Sequence, residues 1–340
     1  MKNVIVDFGH SSIKACDNKD NVIFFKNIIS KEAVPADISS FTGAFDESNY
    51  AVIKYKGETY SIGEHAEKCK IKKQNTYDDD VLSEDTHMMI TAAIAYMQDN
   101  FREDINLYLN LPSADYRRYK EQYLDRYDDE LLSIEVYDYE EDCFTPRRVK
   151  VKNIDIKKQG FYSLIHYVFD EEGQERKELR DKYRGLCVTL DIGYYSTDVV
   201  ITDDLKPRNT TVSVDGMKKV YDNIADSLKD ELNLSKKAYE LENYIVHNDC
   251  KIDFGTEVID ISEAVQKEYE GIVDQIIAEM RNEISTREVR TWFLTGGGAT
   301  PLAPLLEEHD DFKDKIEVIS SPRYANCFGG MKWADIVGQK

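Results

Sequence analysis

The sequence predicts an α/β protein of two domains, and three observations carry that expectation. The chain has 340 residues, enough for about two full-size cores. Short apolar runs of strand length alternate along it with segments of helical periodicity. A strand, an Asp-x-Gly bend with hydroxylated residues and a returning strand occur once in each half, bending at Asp7 and again at Asp191, about 184 residues later.

The second of these hairpins is the more explicit. Cys187, Val188, Thr189 and Leu190 read as a buried strand. Asp191, Gly193, Ser196, Thr197 and Asp198 make the bend, and Val199, Val200 and Ile201 return. Gly193 allows backbone N–H groups to approach a phosphate closely. Asp191 is placed to hold a hydrated Mg2+, a hard cation that prefers carboxylate and water oxygens. An ordinary hairpin with an acidic turn has the same local pattern, so the repetition matters. The first hairpin runs from Val4, Ile5 and Val6 through Asp7-Phe8-Gly9-His10-Ser11-Ser12 to Ile13, Lys14, Ala15 and Cys16. Its amides and the hydroxyls of Ser11 and Ser12 suit β- and γ-phosphates, with Lys14 as a point charge on them.

The remaining elements follow in order. Residues 17–21 form a turn before a strand at 22–25. A loop containing Pro35 and Gly43 leads to a hairpin, 50–55 and 59–62, turning at Lys56-Gly57. The acidic run 77–80 reads as an exposed loop rather than a metal cluster. Ser83 caps a helix with Met89, Ile90, Ala93, Ile94 and Met97 on one face. Ile105, Leu107 and Leu109 alternate as a strand ending at Asn110-Leu111-Pro112, and Ser113 caps a Tyr- and Arg-rich helix. Segments 134–139 and 149–156 read as an antiparallel pair around the loop 140–146. Gln159-Gly160 opens a helix burying Phe161, Leu164, Ile165 and Val168. Residues 171–184 are a charged helix end or linker. After the second hairpin come a strand at 211–214, helices at 216–232 and 234–246, and one long helix or two over 257–284. A strand at 290–294 precedes Gly296-Gly297-Gly298-Ala299, where three glycines permit close contact with a flat or anionic ligand, and Pro301 suits the first turn of the next helix. A strand at 315–319 and a helix beyond Tyr324 close the chain.

Composition narrows the classes of function. The net charge of −21 opposes direct contact with DNA phosphates or anionic lipid, so a nucleic-acid role would run through a basic partner. An apolar content of 41%, with 11% aromatic, argues against disorder. No run of 18 apolar residues and no leader-like start is evident, so neither a membrane span nor a signal peptide is expected, and the location is expected to be cytoplasmic. The six cysteines lack CxxC spacing and read as small buried hydrophobes in a reducing compartment. The six histidines form no HExxH or His/Cys cluster.

Together, the two Asp-x-Gly hairpins and the GGGA loop resemble the actin / Hsp70 / hexokinase superfamily. Within it the chain is similar to bacterial actin-like proteins of the ParM (StbA) plasmid-segregation type. The motifs are DFGHSSIK at the start, LNLP before the Tyr-rich helix, LDIGYYSTDVV, FLTGGGA, and RYANCFGGM near the end. The resemblance implies an actin-like (ribonuclease H-like) two-domain fold with a nucleotide in the interdomain cleft. Its domain I would span 1–158, with 320–340 returning to it, and domain II would span 159–319. It further implies that Asp7 and Asp191 hold Mg2+ through water. Gly9, Ser11, Ser12 and Lys14 would bind one side of the phosphates, and Gly193 with Tyr194 the other. Gly296, Gly297, Gly298 and Ala299 would line the nucleoside, with Lys218 at the adenine pocket. The family's water-positioning residue falls on Gln159, with Asp155 as the nearest carboxylate; an amide orients water by hydrogen bonds rather than acting as a base. Two positions depart from the pattern: Tyr194-Tyr195 replaces small residues after the second Asp-x-Gly, and Phe8 and His10 are bulky in the first hairpin.

The function this resemblance implies is an ATPase, or one using GTP, with Mg2+, that polymerises head to tail and segregates plasmid DNA. It would reach that DNA through a basic adaptor bound at a centromere-like site, without contact of its own to nucleic acid or membrane. Two other readings stand beside it. A small-molecule kinase would need a carboxylate base in the cleft, for which Asp155 is the nearest candidate. A non-polymerising nucleotide-binding scaffold would need neither a base nor a polymer.

Overall fold

The computed structural model describes residues 1–18, 20–32, 49–74, 82–139, 141–209, 212–232, 234, 236 and 238–338. The loop with Pro35 and Gly43 and the acidic run 77–80 lie outside the described residues. The chain divides into two compact units, Met1–Arg176 with Tyr324–Lys340, and Lys177–Arg323.

In the first unit ten strands form one sheet. They are β1 (Lys2–Phe8), β2 (Ser12–Cys16), β3 (Val22–Lys26), β4 (Ile28–Ser30), β5 (Tyr50–Tyr55), β6 (Glu58–Gly63), β7 (Lys73–Gln74), β8 (Arg102–Leu111), β9 (Leu131–Asp138) and β10 (Cys143–Lys158). Their order is β3-β2-β1-β8-β10-β9-β5-β6-β4-β7, with β1, β8 and β10 parallel to their neighbours at the centre. The turn at Lys56 and Gly57 has φ of 51° and 83°, the left-handed pair that matches strand twist in a two-residue hairpin. The expected pairing of 134–139 with 149–156 is corrected. β9 pairs with Cys143 to Lys150, and β10 then continues beyond a bulge alongside β8. The loop is therefore shorter than expected, because β10 serves two partners in succession.

Four helices follow from the same unit: α1 (Glu64–Lys68), α2 (Glu84–Tyr96), α3 (Ser113–Tyr127) and α4 (Phe161–Val168). Ser83 Oγ accepts from Thr86 N at 3.1 Å and caps α2 as expected. The helix is buried almost all round rather than on one face, since Met88 and Ala92 are also enclosed. Ser113 is the first residue of α3, and Pro112 holds the cap position instead. Strand alternation divides the sheet into two faces. Val4, Val6, Phe8, Leu107 and Leu109 pack with α2 and α3, whereas Ile5 and Tyr108 belong to the opposite face with α4.

The second unit holds α5 (Arg180–Tyr183), β11 (Leu186–Ile192), β12 (Ser196–Asp203), β13 (Lys206–Pro207), β14 (Ser213–Asp215), α6 (Met217–Leu232) and α7 (Ala238–His247). It continues with β15 (Lys251–Asp253), β16 (Val258–Asp260), α8 (Ser262–Glu283), β17 (Thr291–Thr295), α9 (Ala299–Glu307) and β18 (Ile316–Val318). The main sheet runs β13-β12-β11-β17-β18, and β14 also pairs with β12. Val188, Leu190, Ile192, Trp292 and Leu294 pack with α6, α8 and α9. The region 257–284 resolves into one helix preceded by a short hairpin, β15–β16, that the sequence did not signal. The cysteines are all free; Cys16, Cys187 and Cys327 are buried as expected, but Cys143 is exposed.

The last helix, α10 (Ala325–Gly338), belongs to the first unit and crosses α4. The crossing is close because Gly329 and Gly330 carry no side chain. A Cβ on Gly329 would stand 1.6 Å from the Tyr162 carbonyl oxygen, and one on Gly330 would stand 2.7 Å from Ile5 Cγ2. Helix α4, expected to open the second domain, thus packs in the first unit.

Gly329→Ala should lower the stability of the first unit by about 2–3 kcal/mol, because backbone rather than a side-chain tip must move; urea unfolding measures it, and an unchanged midpoint would contradict the packing. Burial holds the imidazoles of His65, His87 and His166, all in this unit, down to about 4. In the unfolded chain they titrate near 6.5, so between those values only the unfolded chain takes up their protons. Their contribution is complete above about pH 6.5 and falls as the pH drops towards 4. Thermal melts from pH 7.5 to 4.5 should show this loss, and His87→Gln should remove about 1–3 kcal/mol of it. A slope identical to wild type would refute the assignment.

Candidate functional site

The first hairpin is built around Asp7. It lies at the end of β1 on the sheet face shared with α4 and α10, and only 2% of it is exposed. Lys14 stands directly opposite on β2, and its Nζ lies 3.0 Å from Asp7 Oδ2. Gln159, just before α4, donates through Nε2 to Asp7 Oδ1 at 3.3 Å and to the Phe8 carbonyl at 3.1 Å. Asn326, in the first turn of α10, donates through Nδ2 to Asp7 Oδ1 at 3.5 Å. Its Oδ1 accepts from Gly160 N at 3.1 Å and Ser163 Oγ at 2.8 Å. One buried carboxylate thus joins β1, β2, the start of α4 and the start of α10. The bend itself is tight: Gly9 N donates to Ser12 O at 3.0 Å, and Asn27 holds it from behind through its Nδ2 to the His10 carbonyl. Phe8 fits because its ring is buried in the core.

The second hairpin repeats the plan. Gly193 N donates to Ser196 O at 2.9 Å, and a Cβ on Gly193 would come within 2.8 Å of that oxygen. The start of α6 is bound to the bend: Met217 N donates to Gly193 O at 3.1 Å and Lys218 N to Tyr194 O at 2.6 Å. Gly216 lets this happen, since its Cβ would lie 2.6 Å from three backbone atoms of the bend. Asp191 and Asp198 stand directly opposite each other on β11 and β12, both buried. Asp198 Oδ2 accepts from Ser196 Oγ at 2.9 Å, and carboxylate oxygens of this kind are those that a hard divalent cation takes together with water. The donor set therefore fits Mg2+.

The glycine loop is also explained by contact. Gly296 has φ of 85°, and its Cβ would lie 2.4 Å from Ile192 O and 2.7 Å from Asp191 Oδ1. Gly298 packs on Ile192 and Met217 and donates its N–H to Ile192 O at 3.0 Å. The loop is thus seated on the second hairpin through parallel pairing of Asp191 with Thr295. Gly297 has open space where its Cβ would be.

Several expected site residues have other surroundings. Ala299 is fully buried in the core, so its side chain is unavailable to a nucleoside. The Tyr194 ring packs against Tyr221 and Tyr195, and burial pushes its phenol well up; the bulky residue is tolerated because the ring turns inward. Lys218 Nζ pairs with Asp222 at 2.5 Å and lies over the Tyr195 ring. Asp155 is not gathered with Asp7. Its oxygens are taken by Lys157 Nζ at 2.6 Å and Trp333 Nε1 at 2.8 Å, which makes it an anchor for α10 rather than a partner for water. Ser11 and Ser12 remain at the bend, Ser12 buried. Asn326 and Asp198 were not anticipated. Asn326 had only its place in the C-terminal motif, whereas the three-residue bend 193–195 could have revealed the register that sets Asp198 against Asp191.

Residues 6–161 match the family described as actin-like proteins, N-terminal domain, and residues 189–308 match archaeal actin homologue MreB-like, C-terminal. The chain belongs to the actin-like proteins. The fold of this actin-like protein is similar to that of ParM in a 15-stranded filament from Clostridium botulinum, with a TM-score of 0.79 at 20% identity over 99% of this chain and 100% of that one. It is also similar to Ta0583, an archaeal actin homologue, in complex with ADP (TM-score 0.76, 15% identity, 99% of this chain and 100% of that one). Bacillus thuringiensis ParM with AMPPNP gives a TM-score of 0.69 at 15% identity over 100% of this chain and 99% of that one. No curated protein matches the sequence. Among the described residues, no helix is long and apolar enough to cross a membrane.

Replacing Asn326 by Ala should strand the Gly160 amide and Ser163 hydroxyl and cost about 2–4 kcal/mol, read by urea unfolding. A loss below about 0.5 kcal/mol, the size of an ordinary surface change, would mean that the network is not structural.

Proposed function

We propose that this chain is a nucleoside triphosphatase, using ATP or GTP with Mg2+, whose nucleotide state governs its assembly into filaments. The observation that carries the reading is the pair of glycine-tight Asp-x-Gly hairpins, each with a buried carboxylate at its bend. The similarity to ParM in a filament and to homologues with ADP or AMPPNP supports nucleotide binding and self-association.

In this reading Gly9 and Gly193 admit phosphate oxygens to backbone amides, and Lys14, held by Asp7, presents its charge to them. Asp7 and Asp191 would hold the cation through water. The Mg2+ ion, when bound, neutralises the phosphate charge that grows during transfer. The amide of Gln159 is fixed by donation to Asp7 and the Phe8 carbonyl, so its own oxygen is left to orient the attacking water. Gly296 and Gly298 hold the loop that borders the nucleoside. Filament contacts are head to tail, an arrangement that propagates without closing. Plasmid segregation through a basic DNA-binding adaptor and a cytoplasmic location complete the proposal; the net charge of −21 suits a basic adaptor better than DNA itself.

Right-angle light scattering and phosphate release after addition of Mg-ATP, Mg-GTP or Mg-ADP test this. Scattering should rise with triphosphate only and precede phosphate release. Asp191→Ala should lose both, while Gln159→Ala should still assemble but release phosphate about 10²-fold more slowly. Transfer of phosphate to an added metabolite without scattering would establish a kinase instead, and binding with neither would establish a scaffold.

A further inference from the structure

The three parallel strands at the centre of the first unit's sheet end level with one another. Asp7 on β1, Asn110 on β8 and Lys157 on β10 are each the last residue but one of their strands, and the register sets them side by side. Side chains so paired leave the sheet on one face, here the face shared with α4 and α10. The carboxyl ends of parallel strands are where open α/β sheets bind their ligands. Asp7 has Lys14, Gln159 and Asn326 as partners, and Lys157 has Asp155 at 2.6 Å and the Trp333 ring. Asn110 stands between them.

Asn110 is fully buried, and neither its Nδ2 nor its Oδ1 has a hydrogen-bond partner among the described residues. A buried amide left unmet is unfavourable, and a leucine of similar size would avoid that cost. Whichever way the amide is turned, it presents both a donor and an acceptor at this place. The neighbouring Asp7 has room for one more donor. Its Oδ1 receives Gln159 Nε2 at 3.3 Å and Asn326 Nδ2 at 3.5 Å, both longer than a well-formed N–H···O bond. A carboxylate has about four acceptor sites, and these two donors with Lys14 use three of them. Gln159 is tied to the same place through its backbone, since its N–H donates at 2.8 Å to the carbonyl of Leu111, the residue after Asn110.

We infer that Asn110 is a positioning residue which acts on Asp7 through buried water, a role that rests on the triphosphatase reading proposed above. Buried waters occupy places where polar groups are otherwise unmet, and they bridge them by hydrogen bonds. Here the water accepts from the Asn110 amide and donates to the open site on the Asp7 carboxylate. Held from the β8 side as well as by Lys14, Asp7 keeps its orientation towards Gln159. The Gln159 amide is thereby kept with its oxygen aimed at the attacking water. Asn110 itself, being wholly buried, touches neither the nucleotide nor that water.

Phosphate release from Mg-ATP or Mg-GTP, whichever the wild type hydrolyses, tests this in a double-mutant cycle on the full chain. Asn110→Leu fills the same space without polar atoms. It should lower kcat about tenfold with KM for the nucleotide unchanged. In a Gln159→Ala background it should cost less than about twofold more, because its effect runs through that amide. Matching circular dichroism spectra and Mg-ADP affinities show that the variants are folded. Equal factors in the two backgrounds, or an unchanged kcat, would overturn the role. Should leucine not be accommodated, Asn110→Ser and Asn110→Ala, which differ by one hydroxyl, decide instead. The serine variant should turn over about tenfold faster than the alanine variant, and equal rates would overturn the role. A wild type that binds Mg-ADP but releases no phosphate from either triphosphate would remove the triphosphatase reading, and this role with it.

Discussion

The buried carboxylate of Asp7 is the constraint on which the first unit depends. An uncompensated carboxylate at 2% exposure would be strongly unfavourable, so its neighbours must be donors. Lys14, Gln159 and Asn326 meet that need from three places far apart in sequence. The ion pair alone would be weak evidence of stability, because desolvation opposes it. Its consequence is positional: the same contacts that satisfy Asp7 fix Lys14 and the Gln159 amide beside the Gly9 bend. Helix α10 reaches this point only because Gly329 and Gly330 allow it to lie against α4.

The second unit solves a different problem with similar parts. There the bend at Gly193 is held from outside by the amides that begin α6, and Gly216 removes the Cβ that would prevent it. Gly296 and Gly298 bring a second loop against the same strand. The hairpin, the helix and the loop therefore form one rigid piece of backbone whose shape is set by four glycines. A side chain at Gly193, Gly216 or Gly296 would have to displace backbone, which costs more than moving a flexible tip, whereas one at Gly298 would meet the side chains of Ile192 and Met217.

Much of this was legible in the sequence where local chemistry decides the outcome. The Asp-x-Gly bends, the Lys56-Gly57 turn, the Ser83 cap and the helix opened by Gly160 all follow from residues within a turn of one another. The misreadings arise where partners are distant. Strand β10 takes two neighbours in succession, and nothing within 143–158 reports the second. Helix α2 is enclosed on all sides, which its periodicity alone does not distinguish from one buried face. Asp155 looked available because the sequence does not show Trp333 and Lys157 converging on it. Ala299 sat within a glycine motif, but its register on α9 turns it to the core. Asn326 is the converse, a functional group visible only once α10 is brought to Asp7.

Both hairpins are proposed as phosphate-binding elements. Amide hydrogen exchange of the full chain with and without Mg-ADP tests this most directly, because the amides proposed to meet phosphate are named. Added protection is expected at residues 8–14 and at 191–198 together. Protection confined to one hairpin, or to neither while ADP is bound, would contradict that role.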